Sequence, residues 1–96
     1  MKFLFNLQTL TLKITQENHF LVLSEPFYTL GGVGFILDHS EPPNCWIIFK
    51  VYQEKVRVVY KNAEIYYQRE LTRPASEVVE VEFSEWDQIE KKNKKY

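Results

Sequence analysis

The stretch "CWIIFKVYQEKVRVVYKNAEIYYQRE", residues 45–70, constrains the fold more than any other part of the chain, because its apolar residues recur at every second position. This period is typical of strands that bury one face, whereas a helix repeats its apolar positions every three or four residues. Two-residue turns at Glu54-Lys55 and Asn62-Ala63 would divide the stretch into three strands. The sequence therefore predicts an antiparallel meander here.

The two faces of this meander differ in chemistry. One face is apolar and is predicted to be core: Ile47, Phe49, Val51, Val56, Val58, Tyr60, Ile65 and Tyr67. The other face is mixed, aromatic and basic: Trp46, Ile48, Lys50, Tyr52, Arg57, Val59, Tyr66 and Gln68. Lys61 and Glu64, which are cross-strand neighbours in this register, have opposite charges that favour it.

Alternation extends over most of the chain before residue 84 and predicts further strands. The predicted strands cover residues 2–14, 19–24, 27–30, 33–38, 45–53, 56–61, 64–69 and 77–83. In the first of them the apolar parity changes at Gln8-Thr9, which requires a β-bulge or a break. Ser84 and Asp87 form an approximate capping box before lysines, which predicts a helix over 85–94.

These elements predict the fold class. Ninety-six residues are enough for one hydrophobic core, so residues 1–96 are expected to form a single domain. We expect a mainly β (α+β) fold, a curved antiparallel sheet or half-open barrel of six to seven short strands, with one C-terminal helix packed across it.

Composition excludes several classes of protein. Hydrophobic residues make up 45% and aromatic residues 16%, which is typical of a packed globular chain. A single cysteine excludes an internal disulfide. The start "MKFLFNLQTLTLKI" has too many polar interruptions for a secretory signal, and no apolar run approaches the roughly 18 residues of a membrane span. We expect a soluble, cytoplasmic protein.

The loop "DHSEPPN" brings Asp38, His39 and Glu41 near Cys45 in sequence, and with His19 they could form a metal or thiolate site. The spacing matches no known zinc or cysteine-protease pattern, and Asp, Ser, Pro and Asn each favour a turn. We therefore predict a surface turn, with no catalytic residue, no metal ligand and no cofactor.

Charge is segregated near the C-terminal end. Six acids and no base lie between residues 77 and 90, and four lysines follow. Such a surface could steer a basic partner, with steering assigned to Glu80, Glu82, Glu85 and Asp87. The anchors would be Trp46, Tyr52 and Tyr66, since such residues are favoured in interfaces. The alternative is that Glu80 and Glu82 only protect an edge strand and that the lysines form a solvated terminus.

The leading functional hypothesis is a small non-enzymatic protein-binding factor, such as an immunity-type or anti-defence-type inhibitor of another protein, for example a basic nucleic-acid enzyme. The alternative is a single-stranded nucleic-acid-binding module that uses Lys50, Tyr52, Arg57 and Tyr66. A net charge of −1 argues against it. An enzyme or metal protein centred on Asp38, His39 and Cys45 is a third, minor hypothesis, and a homodimer through unpaired edge strands stays open.

Overall fold

The computed structural model describes residues 1–84 and 87–89, which form two antiparallel sheets packed face to face. The strands are β1 (Lys2–Asn6), β2 (Thr11–Gln16), β3 (His19–Leu23), β4 (Phe27–Thr29), β5 (Gly32–Ile36), β6 (Cys45–Val51), β7 (Lys55–Asn62), β8 (Ile65–Thr72), β9 (Val78–Glu82) and β10 (Gln88–Ile89). Sheet A has the order β3-β2-β1-β9, and sheet B has the order β10-β8-β7-β6-β5-β4. The mainly β prediction is confirmed. The single curved sheet or half-open barrel is wrong, because β1 pairs with β2 and β9 and so builds a second sheet.

The core lies between the sheets and is made of the side chains that point inward, at every second position along the strands. Sheet A contributes Phe3, Phe5, Leu12, Val79 and Val81, and sheet B contributes Phe35, Ile47, Phe49, Val56, Val58 and Tyr60. The rings of Phe5 and Phe49 stack across the interface with centroids 4.2 Å apart. Of the predicted core residues, Val51 and Tyr67 are half-buried, and Ile65 is 37% exposed at the end of its strand.

The parity change at Gln8-Thr9 is a complete chain reversal. The Asn6 carboxamide oxygen accepts hydrogen bonds from the backbone N–H of Gln8 at 2.8 Å and of Thr9 at 3.0 Å. Leu10 has a φ of 57° and donates its N–H to the Asn6 carbonyl. An asparagine side chain that mimics a backbone turn thus divides the predicted strand 2–14 into β1 and β2.

Both turns of the meander lie one residue from their predicted positions. The first is at Gln53-Glu54, since the N–H of Tyr52 donates to the carbonyl of Lys55 at 2.8 Å. The second is at Ala63-Glu64, between paired Asn62 and Ile65. Lys61 therefore pairs with Tyr66 and not with Glu64. Because moving a turn by one residue moves the pairing by two, both predicted faces of the meander are retained.

The predicted helix over 85–94 falls largely outside the described residues. Within it, Gln88 and Ile89 pair with β8 as a strand, so the helix prediction is wrong for these two residues. The capping contact is present: Ser84 donates its N–H to the Asp87 carboxylate at 3.0 Å, and Asp87 returns its N–H to the Ser84 carbonyl at 3.0 Å. No helix in residues 1–84 and 87–89 is long and apolar enough to cross a membrane.

Candidate functional site

The outer face of sheet B carries an aromatic row at one end. Cα pairing aligns Ile36, Trp46, Lys61 and Tyr66 across four neighbouring strands. The rings of Trp46 and Tyr66 meet edge to face with centroids 6.0 Å apart, and the Lys61 ammonium lies 5.9 Å from the Tyr66 ring centroid. Two of the predicted anchors therefore lie in one half-exposed patch.

A basic row crosses the same face at the other end. Lys50 pairs with Arg57, which pairs with Glu70. Arg57 Nη2 lies 3.3 Å from the Glu70 carboxylate, and Lys55 Nζ lies 3.6 Å from it. Glu70 therefore compensates part of the positive charge that phosphate binding would need.

The structure divides the residues predicted to bind nucleic acid. Lys50 and Arg57 are neighbours, and Tyr52, which is 46% exposed, lines an open depression with Arg57 and Glu70. Tyr66 lies in the aromatic row. The two rows are separated by a third: Ile48, Val59 and Gln68.

The predicted acidic residues of β9 lie on the opposite outer face of the molecule. Glu80 and Glu82 are exposed on an edge strand of sheet A, facing away from the core. Glu80 lies 3.6 Å from Lys2 Nζ, and Glu82 lies 3.9 Å from the Met1 amino group. A single flat partner surface could not cover these acids and the aromatic row together.

Of the other two acids predicted to steer a partner, Asp87 lies in the described residues and Glu85 does not. The Asp87 carboxylate lies 3.7 Å from Arg69 Nη1, and Ser84 also donates to it. Arg69 donates a further hydrogen bond to the Glu82 carbonyl at 2.7 Å. Asp87 is thus part of a clamp that ties β8 to the end of β9. Glu85 lies outside the described residues.

The loop after β5 is organised as a turn. The Asp38 carboxylate accepts hydrogen bonds from Ser40 Oγ and from the Asn44 N–H, the latter at 3.0 Å. These bonds, that of Ser40 first, lower the pKa of Asp38. Across the part of the chain that the structure describes, no three His, Cys, Asp or Glu side chains converge as metal ligands would.

Cys45 begins β6 and lies half-buried near Tyr60. Burial raises the pKa of the Cys45 thiol, and it also raises the pKa of Tyr60. A thiolate nucleophile needs the opposite shift, which positive charge or a helix N-terminus would supply. The local environment of Cys45 therefore favours a packing role.

We expect the Cys45 thiol to react slowly with iodoacetamide. Because its pKa is raised, the thiolate fraction at pH 8 is smaller than in an unfolded chain, and the rate should keep rising above the pH at which the unfolded chain levels off. Rates measured across pH in buffer and in urea compare the two states. Native Cys45 reacting as fast as the unfolded thiol at pH 7 would contradict this.

A strand over residues 19–24 is predicted from the sequence, but the exposure of this strand, β3, is not. Phe20, Leu21 and Val22 are 67%, 57% and 55% exposed. β3 ends sheet A, and within the described ranges no strand pairs with its second edge. Natural edge strands are usually protected by lysine, proline or a bulge, and "HFLVL" contains neither lysine nor proline. The absence of lysine and proline is the sequence feature from which the exposed edge could have been predicted.

A cavity of about 290 Å³ lies beside β3, between the β2–β3 hairpin and sheet B. Leu21 pairs with Ile14 on the inward side of sheet A, yet it stays exposed because it faces this cavity rather than packed side chains. The lining residues are Met1, Ile14, Gln16, His19, Phe20, Leu21, Leu37, Cys45 and Tyr60. Small-molecule pockets usually measure about 300–1,000 Å³, so this one is at the small end.

Two surfaces thus stand out, the apolar β3 edge with its cavity and the aromatic and basic outer face of sheet B. Comparison of the chain with protein-family models, with curated proteins and with solved structures gave no match.

Proposed function

We propose that the protein is a small non-enzymatic binding domain that holds an extended segment of another protein against the open edge of β3. Inhibition of that partner, in the manner of an immunity-type or anti-defence-type factor, is the specific form of this hypothesis. The observation that carries it is the run of three exposed apolar residues on β3, Phe20 to Val22, at a sheet edge with which no strand of the described residues pairs.

Strand addition would use both the backbone and the side chains of β3. An added strand receives main-chain hydrogen bonds from an open edge, and side-chain pockets then supply specificity. Covering Phe20 and Val22 would remove apolar surface from water, which contributes about 1.5–3 kcal/mol for each such side chain when burial is complete. The cavity next to Leu21 is a pocket of the kind that specificity requires.

In this proposal the β9 acids act at a distance. Glu80 and Glu82 lie at the other edge of sheet A from β3, so they would not contact the same segment. Exposed carboxylates raise the association rate of a basic partner through the field they create, and this effect falls with salt.

A second candidate function is single-stranded nucleic-acid binding on the outer face of sheet B. It is favoured by the edge-to-face pair of Trp46 and Tyr66 on the same face as Lys50 and Arg57. Stacking of bases on aromatic rings and neutralisation of phosphates would both be needed. Arg57 is already paired with Glu70, and Lys61 donates to the Asn44 carbonyl at 3.0 Å, which weakens this candidate.

Differential capture from a cell lysate tests the proposal. The baits are the tagged wild-type chain, Leu21→Lys at the β3 edge, and Leu30→Lys as a matched control, since Leu30 is 99% exposed in the β4–β5 turn. All three must show the same circular dichroism and melting temperature. Half of each sample is treated with nuclease.

We expect a stoichiometric protein on the wild-type and Leu30→Lys baits, with recovery lowered at least about tenfold on Leu21→Lys, because a lysine at a sheet edge opposes strand addition. Nuclease should not change this result. Equal recovery on Leu21→Lys, or no captured protein at all, would contradict the proposal. Loss of every captured protein after nuclease would support the second candidate.

A further inference from the structure

We infer that the segment held by β3 has basic residues at both ends and a large uncharged apolar side chain between them, and that this side chain enters the cavity beside Leu21. This inference rests on the proposed function and adds the chemistry of the partner to it. It is built from the direction of the side chains, the charges at the ends of β3 and the composition of the cavity.

Side-chain direction places an anchor in the cavity. Residues directly opposite each other in neighbouring strands point to the same face of the sheet. Leu21 points to the inward side of sheet A, where the cavity lies. The residue of an added strand that pairs with Leu21 would therefore also face the cavity, and its two neighbours would face outward beside Phe20 and Val22.

The composition of the cavity selects the kind of anchor. Ile14, Leu21 and Leu37 supply apolar walls, and Cys45 and Tyr60 line it without a formal charge, because raised pKa values keep both protonated at neutral pH. Met1, Gln16 and His19 complete the lining, and the Met1 amino group already lies 3.9 Å from the Glu82 carboxylate. Because no acidic side chain is among these lining residues, a basic anchor would lose its hydration without gaining a counter-ion there. An aromatic or long aliphatic side chain would lose only its contact with water.

Charge at the ends of β3 selects the flanking residues. The strand itself carries no acid, but exposed Glu17 precedes it and exposed Glu25 follows it. Asp38 lines a depression together with Glu25, so two carboxylates lie at the second end of β3. Lys13, which pairs with Val22, lies with its ammonium 4.9 Å from the Phe20 ring centroid, on the outer face of sheet A. Lysine or arginine at both ends of a partner segment would thus meet carboxylates.

The same charges disfavour a second copy of this chain as the occupant. Antiparallel pairing of β3 with itself about Leu21 matches Phe20 with Val22, which is compatible in shape. At both ends of such a pair, Glu17 in the β2–β3 turn of one copy would come close to Glu25, which follows β3 in the other copy. Like charges that face each other across strands are destabilising. Self-association is therefore an outcome of the test and not the inference.

Synthetic peptides with one apolar core test the inference on the full chain. The probes are fluorescein-labelled KRVTVFVTVRK, its acid-flanked form EEVTVFVTVEE, and KRVTVGVTVRK, which lacks the anchor. Binding is measured by fluorescence anisotropy in about 0.05 M and about 0.5 M salt. The rate of Cys45 alkylation, with and without each peptide, reports whether the cavity is filled, because Cys45 lines it.

We expect the basic-flanked peptide to bind at least about tenfold more tightly than the acid-flanked one in low salt, with a smaller ratio in high salt. The phenylalanine peptide should slow Cys45 alkylation at least about threefold, whereas the glycine peptide should not, because only the former places a ring over the thiol. Binding should be lost in Leu21→Lys and kept in Leu30→Lys.

Four results would overturn the inference, and a fifth would also reject the proposed function. Equal binding of the acidic and basic peptides would show that the flanking charges do not matter. An unchanged rate of Cys45 alkylation would show that no anchor enters the cavity. Strand addition itself would still stand after either result if capture depends on Leu21. Absence of any peptide binding up to about 1 mM, or a dimer of the chain itself that Leu21→Lys dissociates in sedimentation analysis, rejects this partner chemistry. Capture that is independent of Leu21 rejects the proposed function itself.

Discussion

Replacement of Phe49 by alanine is expected to lower the free energy of unfolding by about 3–5 kcal/mol. Phe49 is fully buried, stacks on Phe5 and meets the edge of Phe35, so it connects the two sheets. Its removal leaves a cavity that neither sheet can close alone. Because small domains have only about 5–15 kcal/mol of stability, the loss should be visible as a large shift of the urea midpoint.

Leu30→Ala is the matched control, since it also truncates an apolar side chain but at a position that is 99% exposed. It should change the free energy of unfolding by less than about 0.5 kcal/mol. If Phe49→Ala cost less than about 1 kcal/mol in the same urea titration, the packing of the two sheets through Phe5 and Phe49 would be contradicted.

Gly34→Ala is expected to lower the free energy of unfolding by about 1–3 kcal/mol. A Cβ atom on Gly34 would lie 2.3 Å from Cζ of Phe27 and 2.7 Å from both Cε atoms, because the Phe27 ring covers this glycine across the β4–β5 pair. The ring would have to leave the sheet surface to make room. Urea unfolding measures the cost.

A double-mutant cycle separates the steric cause from a general loss of strand stability. With Phe27→Ala as the background, the added methyl group meets no ring, so Gly34→Ala should cost at least about 1 kcal/mol less than in the wild-type chain. An equal cost in both backgrounds would mean that the Phe27 ring is not what requires glycine here.

The faces of the meander were predictable from the sequence because strand periodicity survives small errors of register. Both turns lie one residue from their predicted positions. Even so, Ile47, Phe49 and Val58 point to the core, and Trp46 and Tyr66 share the outer face. A one-residue error in a turn shifts the pairing by two, and side chains repeat with that same period.

The division into two sheets could not be predicted in this way. Alternation shows which residues of a strand are buried, but it does not say which strand lies beside it. β1 pairs with β9, whose residues are far away in sequence, and that choice depends on how Phe3 and Phe5 pack against sheet B. The Asn6 turn that separates β1 from β2, in contrast, depends on a local interaction of one side chain with the next backbone N–H groups.

The candidate site was only partly predictable for the same reason. Trp46 and Tyr66 were expected on one face, and they meet there. The exposure of β3 depends on how far sheet B extends beneath Leu21, which no local pattern encodes. The open edge of β3 is therefore a property of the sheet arrangement and not of the local sequence.

Amide hydrogen exchange of β3, with and without the partner recovered by differential capture, tests the binding proposal most directly. Strand addition at this edge predicts slower exchange of those amides of Phe20, Leu21 and Val22 that do not bond to β2, while β6 and β7 stay unchanged. Unchanged exchange in β3, together with new protection around Trp46 and Tyr66, would contradict the proposal and place the interface on the outer face of sheet B.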